Sequence, residues 1–109
     1  MATQNVRQTI ALAADGQIQK YVGTSATTIT KARIMSVQAQ SSAADGSVKI
    51  YNEADDSKTA AALVFHAKFS NADNHGQSFI IPGEGIYCNT GMYVDLTNCD
   101  FCTIIGTFT

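Results

Sequence analysis

Charge is scarce in this chain. Of its 109 residues only 15% are Asp, Glu, Lys or Arg, against the usual quarter, and the formal net charge is −2. The seven basic residues, Arg7, Lys20, Lys31, Arg33, Lys49, Lys58 and Lys68, are scattered, and only Lys31 and Arg33 sit close together. Two apart on a strand, they share one face and make a small patch. The missing basic run argues against nucleic acid, because phosphate recognition draws on clustered Lys and Arg. Long apolar runs are missing too. The longest, residues 60–65, is far short of the roughly 20 that a membrane helix needs. The start, MATQNVRQT, is polar, with no apolar stretch behind a basic opening. No signal peptide is therefore expected, and the chain is placed in a cytosol-like compartment or outside by a leaderless route.

The signatures of chemistry are also lacking. There is no G-x-S-x-G elbow for a nucleophile. His66 alternates with Phe65 and Ala67 and is expected on the outer face of a strand, and His75 sits in a loop of Asn, Asp and Gly. Glu53, Asp55 and Asp56 cluster without the D-x-D-x-D-G order of a calcium loop. Asp95 and Asp100, on neighbouring expected strands, are read as solvent-side partners of Lys31 or Lys49 rather than as facing catalytic acids. Gly83-Glu84-Gly85 lacks a third glycine and leads into a strand, so it is a turn and not a phosphate cradle. Cys99 and Cys102 form a C-x-x-C, but no second such pair completes a zinc set. On a strand, an odd separation sends the two side chains to opposite faces, which suits packing better than redox work. Cys88, Cys99 and Cys102 are read as structural thiols, with a Cys88–Cys99 or Cys88–Cys102 bridge, or a metal, as alternatives. No catalytic residue, no cofactor and no metal ligand is assigned.

What the chain does have is short alternating runs between turn residues. Met92, Val94 and Leu96 alternate with Tyr93 and Asp95. Met35, Val37 and Ala39 alternate with Ser36, Gln38 and Gln40 in a strand continuing from Ala26-Thr27-Thr28. Val48 and Ile50 alternate with Lys49 and Tyr51. Residues 17–22 read as one strand, and so does the apolar, β-branched stretch 101–105. In residues 59–69 three alanines favour helix, but the period-two match from Ala62 favours strand. Two Asp-Gly pairs, Asp15-Gly16 and Asp45-Gly46, are hairpin signals, and they head similar stretches, AADGQIQKYV and AADGSVKIYN. The expected fold is all-β: an antiparallel β-sandwich of jelly-roll type with about eight short strands and an N-terminal arm. Residues 1–23 are assigned to the arm and first strands, and residues 24–109 to the sandwich module.

The order of these runs resembles small virion structural proteins of tailed bacteriophages, of the marine and cyanobacterial type. The residues that carry the likeness are Thr27-Thr28-Ile29-Thr30, the strand 33–40, Val48-Lys49-Ile50-Tyr51-Asn52, Ile81-Pro82-Gly83-Glu84-Gly85-Ile86 and Gly91-Met92-Tyr93-Val94-Asp95-Leu96. The three cysteines and the longer residues 1–23 depart from that pattern. The resemblance implies no enzyme activity, assembly as a homo-oligomer (trimer or dimer), location in the virion, and binding to major capsid protein or other virion proteins. Within that class the expected role is a capsid decoration (cement) protein, with a head–tail connector, tail or knob component as an alternative. A glycan-binding host-attachment module is a further alternative, hinted at by Tyr87 and Tyr93. The expected contact segments are the arm, residues 1–12, and the polar loops 52–58 and 71–77.

Overall fold

A computed structural model describes residues 8–12, 16–17, 19–22, 25–42, 44–70 and 77–109. Within them the chain is all-β, with eleven strands and one short 3-10 turn. Sheet A runs in the order β1 (Gln8–Leu12), β11 (Cys99–Phe108), β5 (Ala32–Ser41), β8 (Gln77–Ile80), with β9 (Ile86–Cys88) also on β5. Sheet B runs β2 (Gly16–Gln17), β10 (Tyr93–Thr97), β6 (Gly46–Tyr51), β7 (Leu63–Phe69). β3 (Gln19–Val22) and β4 (Ser25–Thr28) form a separate hairpin. Every pairing is antiparallel.

The core lies between the two sheets. Sheet A sends in Ile34, Val37, Ala39, Cys102, Ile104 and Phe108, and sheet B sends in Val48, Ile50, Val94 and Phe69. Burying each large aliphatic side chain contributes about 1.5–3 kcal/mol. The expected alternation of Val94 with Tyr93 and Asp95, and of Val48 and Ile50 with Lys49, holds in burial, but Tyr51, expected on the same side as Lys49, is buried as well, and Leu96 is only half-buried. Met92, just ahead of β10, is fully buried as well.

Eleven strands stand where about eight were expected. The stretch 17–22 divides into β2 and β3, which belong to different sheets, and the run from Ala26 divides into β4 and β5. The second division has a clear cause. Ile29 turns into the core at 1% exposed, and beside it the backbone bonds to the chain's last residue: Thr30 N–H donates to the Thr109 carbonyl at 2.9 Å, and Thr109 N–H to that of Lys31 at 2.9 Å. The three alanines form the 3-10 turn Ala60–Ala62, and β7 starts at Leu63, one residue later than expected. Residues 1–7 of the expected arm and residues 71–76 of one expected contact loop lie outside the described residues. The rest of the arm is β1, paired along its length with β11, and β1 and β2 are edge strands of the two sheets.

β5 does not alternate as the sequence suggests. Ile34, not Met35, joins Val37 and Ala39 in the core, because a bulge falls at Met35, where Ile105 faces Ser36 but Gly106 faces Ile34. The extra residue shifts the inward set by one, so both halves of the strand face the core. Glycines flank the bulge on both sides. A Cβ on Gly106 would collide with the Arg33 carbonyl oxygen, and one on Gly85 (φ +83°) with that of Ile34. Ile81 N–H donates to the Met35 carbonyl at 2.9 Å, tying the following turn to the same place.

The two Asp-Gly signals do not make hairpins. β1 does not pair with β2, nor β5 with β6; each pair leaves sheet A and enters sheet B. In both places the AADG stretch, of which residues 13–15 and 43 lie outside the described residues, separates a strand of sheet A from a strand of sheet B, and β10 lies between β2 and β6. The crossing before β6 is locked to a third one, between β10 and β11. Asn98 takes a left-handed conformation (φ +50°), which its short amide side chain tolerates. Its carbonyl accepts Ser42 N–H at 2.8 Å, and its Nδ2 donates to the Asp45 carbonyl at 3.0 Å. Gly46 is packed there against Phe69 and the Thr97 and Asn98 carbonyls. The three closing strands, β9, β10 and β11, do not pair with one another: β9 and β11 both lie on β5, and β10 belongs to sheet B.

Candidate functional surfaces

The two sheets present unlike outer faces. On sheet A the register sets out the rows. Thr107, Arg33 and Tyr87 lie side by side across β11, β5 and β9. Ile105, Ser36 and Ile80 form the next row, then Ala11, Thr103, Gln38 and Ser78, and finally Phe101 and Gln40. Three of the four large apolar side chains most exposed among the described residues are here: Ile80 at 81%, Tyr87 at 49% and Phe101 at 38%. A shallow depression of about 230 Å³ lies beside Phe101, between Gln38, Ala39, Gln77 and Ser78. The one charged side chain in these rows is Arg33. It donates to the Glu84 carbonyl at 3.0 Å and stacks on the Tyr87 ring at 5.2 Å.

Sheet B carries charge instead. Asp95, Lys49 and His66 lie in one row, and Thr97, Ser47 and Lys68 in the next. Asp95 pairs with Lys58 at 3.6 Å, not with the expected Lys31 or Lys49, because the 52–58 loop folds back over β10. Lys58 (φ +53°) also lies 5.9 Å from the Tyr93 ring. The rest of that loop is held by its own hydrogen bonds. Asn52 Nδ2 donates to Asn89 Oδ1 at 2.9 Å, and Thr90 N–H to Asn52 Oδ1 at 2.8 Å. Glu53 Oε1 accepts Thr59 N–H at 3.0 Å, while its Oε2 is enclosed without a partner. Asp55 accepts Ser57 N–H at 3.0 Å, and its hydrogen bonds to Ser57 hold its carboxyl below the usual range. This expected contact loop is thus pinned to the turn at Asn89 and Thr90.

Several expected groupings are not brought together. Asp95 and Asp100 belong to different sheets and do not face each other. Tyr87 is on sheet A and Tyr93 on sheet B, so they share no binding platform. His66 is exposed on β7, as expected of an outer-face residue. His75 lies outside the described residues. Among the described residues no group of three or more His, Cys, Asp or Glu is placed to hold a metal ion. No helix among them is long and apolar enough to cross a membrane.

The cysteines depart from the expected geometry. Asp100 is an extra residue in β11, since Cys99 faces Ser41 while Phe101 faces Gln40. That bulge cancels the odd spacing, and Cys99 and Cys102 both turn toward the core. No disulfide joins Cys88, Cys99 and Cys102. Burial pushes Cys88 up to about 11; burial, and then the neighbouring Cys99, push Cys102 up to about 12. Cys99 Sγ donates to the Ser47 carbonyl across the sandwich at 3.4 Å. Raised, enclosed thiols are poor nucleophiles, in keeping with a packing role.

Sequence reasoning did not find the sheet A patch. Ile80 and Phe101 read as ordinary strand residues, and only the register places them on one face. Neither the protein-family models nor the curated proteins compared with this chain give a match.

Proposed function

We propose that this chain is a non-enzymatic structural protein of a tailed-phage virion, a capsid decoration (cement) protein that binds the major capsid protein and stabilises the shell. The strand order supports this role most. β1 and β2 pair with β11 and β10, and β5 and β6 pair with β8 and β7, in a nested sequence across two sheets. We take that nested order as a jelly roll with a β3–β4 hairpin inserted between its second and third principal strands. Double-sheet jelly rolls serve in viral capsids and in lectins. Architecture alone does not choose between those uses. The lectin use is less favoured because Tyr87 and Tyr93 lie on separate sheets. The shell role is favoured by a sparsely charged surface suited to close packing against protein.

The test is copy number and shell strength. Mass spectrometry of the purified particle should find on the order of hundreds of copies, against about six to twelve for a part on the tail axis. Particles lacking the protein should lose resistance to heat. Unchanged heat resistance would rule out cementing, and a low copy number would move the protein to the tail axis.

A further inference from the structure

We propose that the open edge of β7 takes an added antiparallel strand from a partner protein, an extended segment with acidic side chains on its outer face and apolar ones on its inner face. This goes beyond the shell role, which says nothing of a strand edge or of the partner's charge. An edge strand offers unpaired N–H and C=O groups to an extended chain, and the side chains around it select which chain. Among the described residues β7 is the longest such edge of the two sheets. It has seven residues and pairs only with β6, while the other outer strands, β1, β8, β9 and β2, have five, four, three and two. Its inner side chains, Phe65, Ala67 and Phe69, turn toward the core, and Phe65 meets Phe79 of β8 edge to face at 5.8 Å. Apolar side chains on a strand laid beside β7 continue that inner row.

Charge decides the outer row. His66 and Lys68 stand exposed on β7 two residues apart, and Lys49 faces His66 from β6. None of the three forms an ion pair or a side-chain hydrogen bond among the described residues. A depression of about 480 Å³ opens beside Lys68, between Asp45, Ser47, Phe69 and Ser70, so a partner's side chain has room to reach the lysine. The acids of this sheet lie away from the middle of the edge. Asp95, opposite Lys49, is two strands from β7 and is paired with Lys58. Glu53, Asp55 and Asp56 belong to the loop beyond the Leu63 end, where Glu53 accepts Thr59 N–H and Asp55 accepts Ser57 N–H. Asp45 stands at the opposite end, where Gly46 faces Phe69. The middle of the edge thus presents Lys68 and Lys49 around His66, with no acid on β7 itself. Acidic side chains on an added strand meet His66 and Lys68 as cross-strand neighbours roughly 5 Å away. A second β7 fits this edge badly, because it sets the lysines and histidines of both copies on one face with no acid between them.

Titration of the full chain with capped heptapeptides, followed by NMR, tests this at up to ~1 mM peptide, a range that covers weak binding. An alternating Glu-Val peptide should shift the amides of residues 63–69 and slow their exchange. An alternating Lys-Val peptide should bind about tenfold more weakly or worse. A fully N-methylated Glu-Val peptide keeps the charge but loses the backbone donors, and should not bind. In the double variant His66→Glu with Lys68→Glu, the preference between the Glu and Lys peptides should reverse. Both side chains are exposed, and circular dichroism checks the fold. The milder Lys68→Gln should weaken Glu-Val binding by about threefold. Lys31→Glu, on the exposed residue before β5, should leave it unchanged. No binding of the Glu-Val peptide by the wild type would overturn the proposal. So would equal binding of its N-methylated form, or a preference that neither substitution on β7 alters. Slowed exchange in residues 63–69 that grows with protein concentration alone would give the edge to a second copy and overturn it too. Since no particle is present, failure here leaves the shell role standing, and failure of the particle tests leaves this contact standing.

Discussion

The two outer faces of this sandwich are built alike and finished differently. Both are antiparallel strands with alternating side chains, yet sheet A shows hydroxyls, amides, isolated apolar groups and one engaged arginine, while sheet B shows two lysines, a histidine and a paired aspartate beside Ser47, Thr97, Tyr93 and the exposed Leu63. A charged face stays in water, because removing unpaired charge from water is expensive. A neutral polar face gives up water at lower cost, since its partners can replace the lost hydrogen bonds. The difference teaches where protein contact is easiest on a molecule with so little charge. The inner surfaces differ too: both buried thiols, Cys88 on β9 and Cys102 on β11, belong to sheet A.

The strongest way to break this comparison is to remove the bulge that shapes sheet A. Gly106→Val forces a side chain into the Arg33 carbonyl, and we expect a loss of about 3 kcal/mol or more, read as a fall in urea midpoint. An unchanged midpoint would mean that the bulge at Met35 can relax. The next largest effect is alkaline. The usual thiol value of 9.0 rises to about 11 for Cys88 and about 12 for Cys102, so above pH 9 the native state holds protons that the unfolded chain releases. Stability is therefore intact below pH 9 and falls as pH rises toward 11–12. Urea unfolding at pH 8 and pH 10.5 measures the slope, and replacing both cysteines with alanine should flatten it. A slope that persists in the double variant assigns the effect to other groups.

Smaller effects belong to sheet B. Lys58→Ala removes a partly exposed ion pair with Asp95 and a ring contact with Tyr93, and should cost about 0.5–1 kcal/mol, less at high salt. A loss several times larger would show that the 52–58 loop depends on that lysine. The smallest change in stability should come from Ile80→Lys, within about 0.5 kcal/mol by thermal unfolding. A large loss there would show that Ile80 is packed rather than presented, and would undo the contrast between the faces.

Much of this fold is legible in the chain, and the gaps have physical causes. β6 and β10 show their buried faces plainly, because period two is a property of the strand itself. The bulges at Met35 and Asp100 are not legible, since a bulge is defined by the strand opposite. Met35 alternates with Val37 in the sequence as smoothly as Ile34 would fail to, yet Gly106 across the ladder puts Ile34 inside. The Asp-Gly pairs mislead in the same way. They specify a local bend, but pairing across that bend depends on which strand offers an open edge. Of the surface, the shortage of charge is visible from composition, while the patch of Ile80, Phe101 and Ile105 comes together only across three strands.

By itself, the sequence determined that this chain is all-β, that its strands have one apolar side, and that little charge is available for its surface. These follow from residue type and spacing along a single strand. Tertiary structure alone decided that β9, β10 and β11 are divided between two sheets, that Cys99 and Cys102 share a side, and that Ile80, Tyr87 and Phe101 come together on sheet A. Each of those depends on hydrogen bonding between segments far apart in the chain, and local spacing carries no record of the partner.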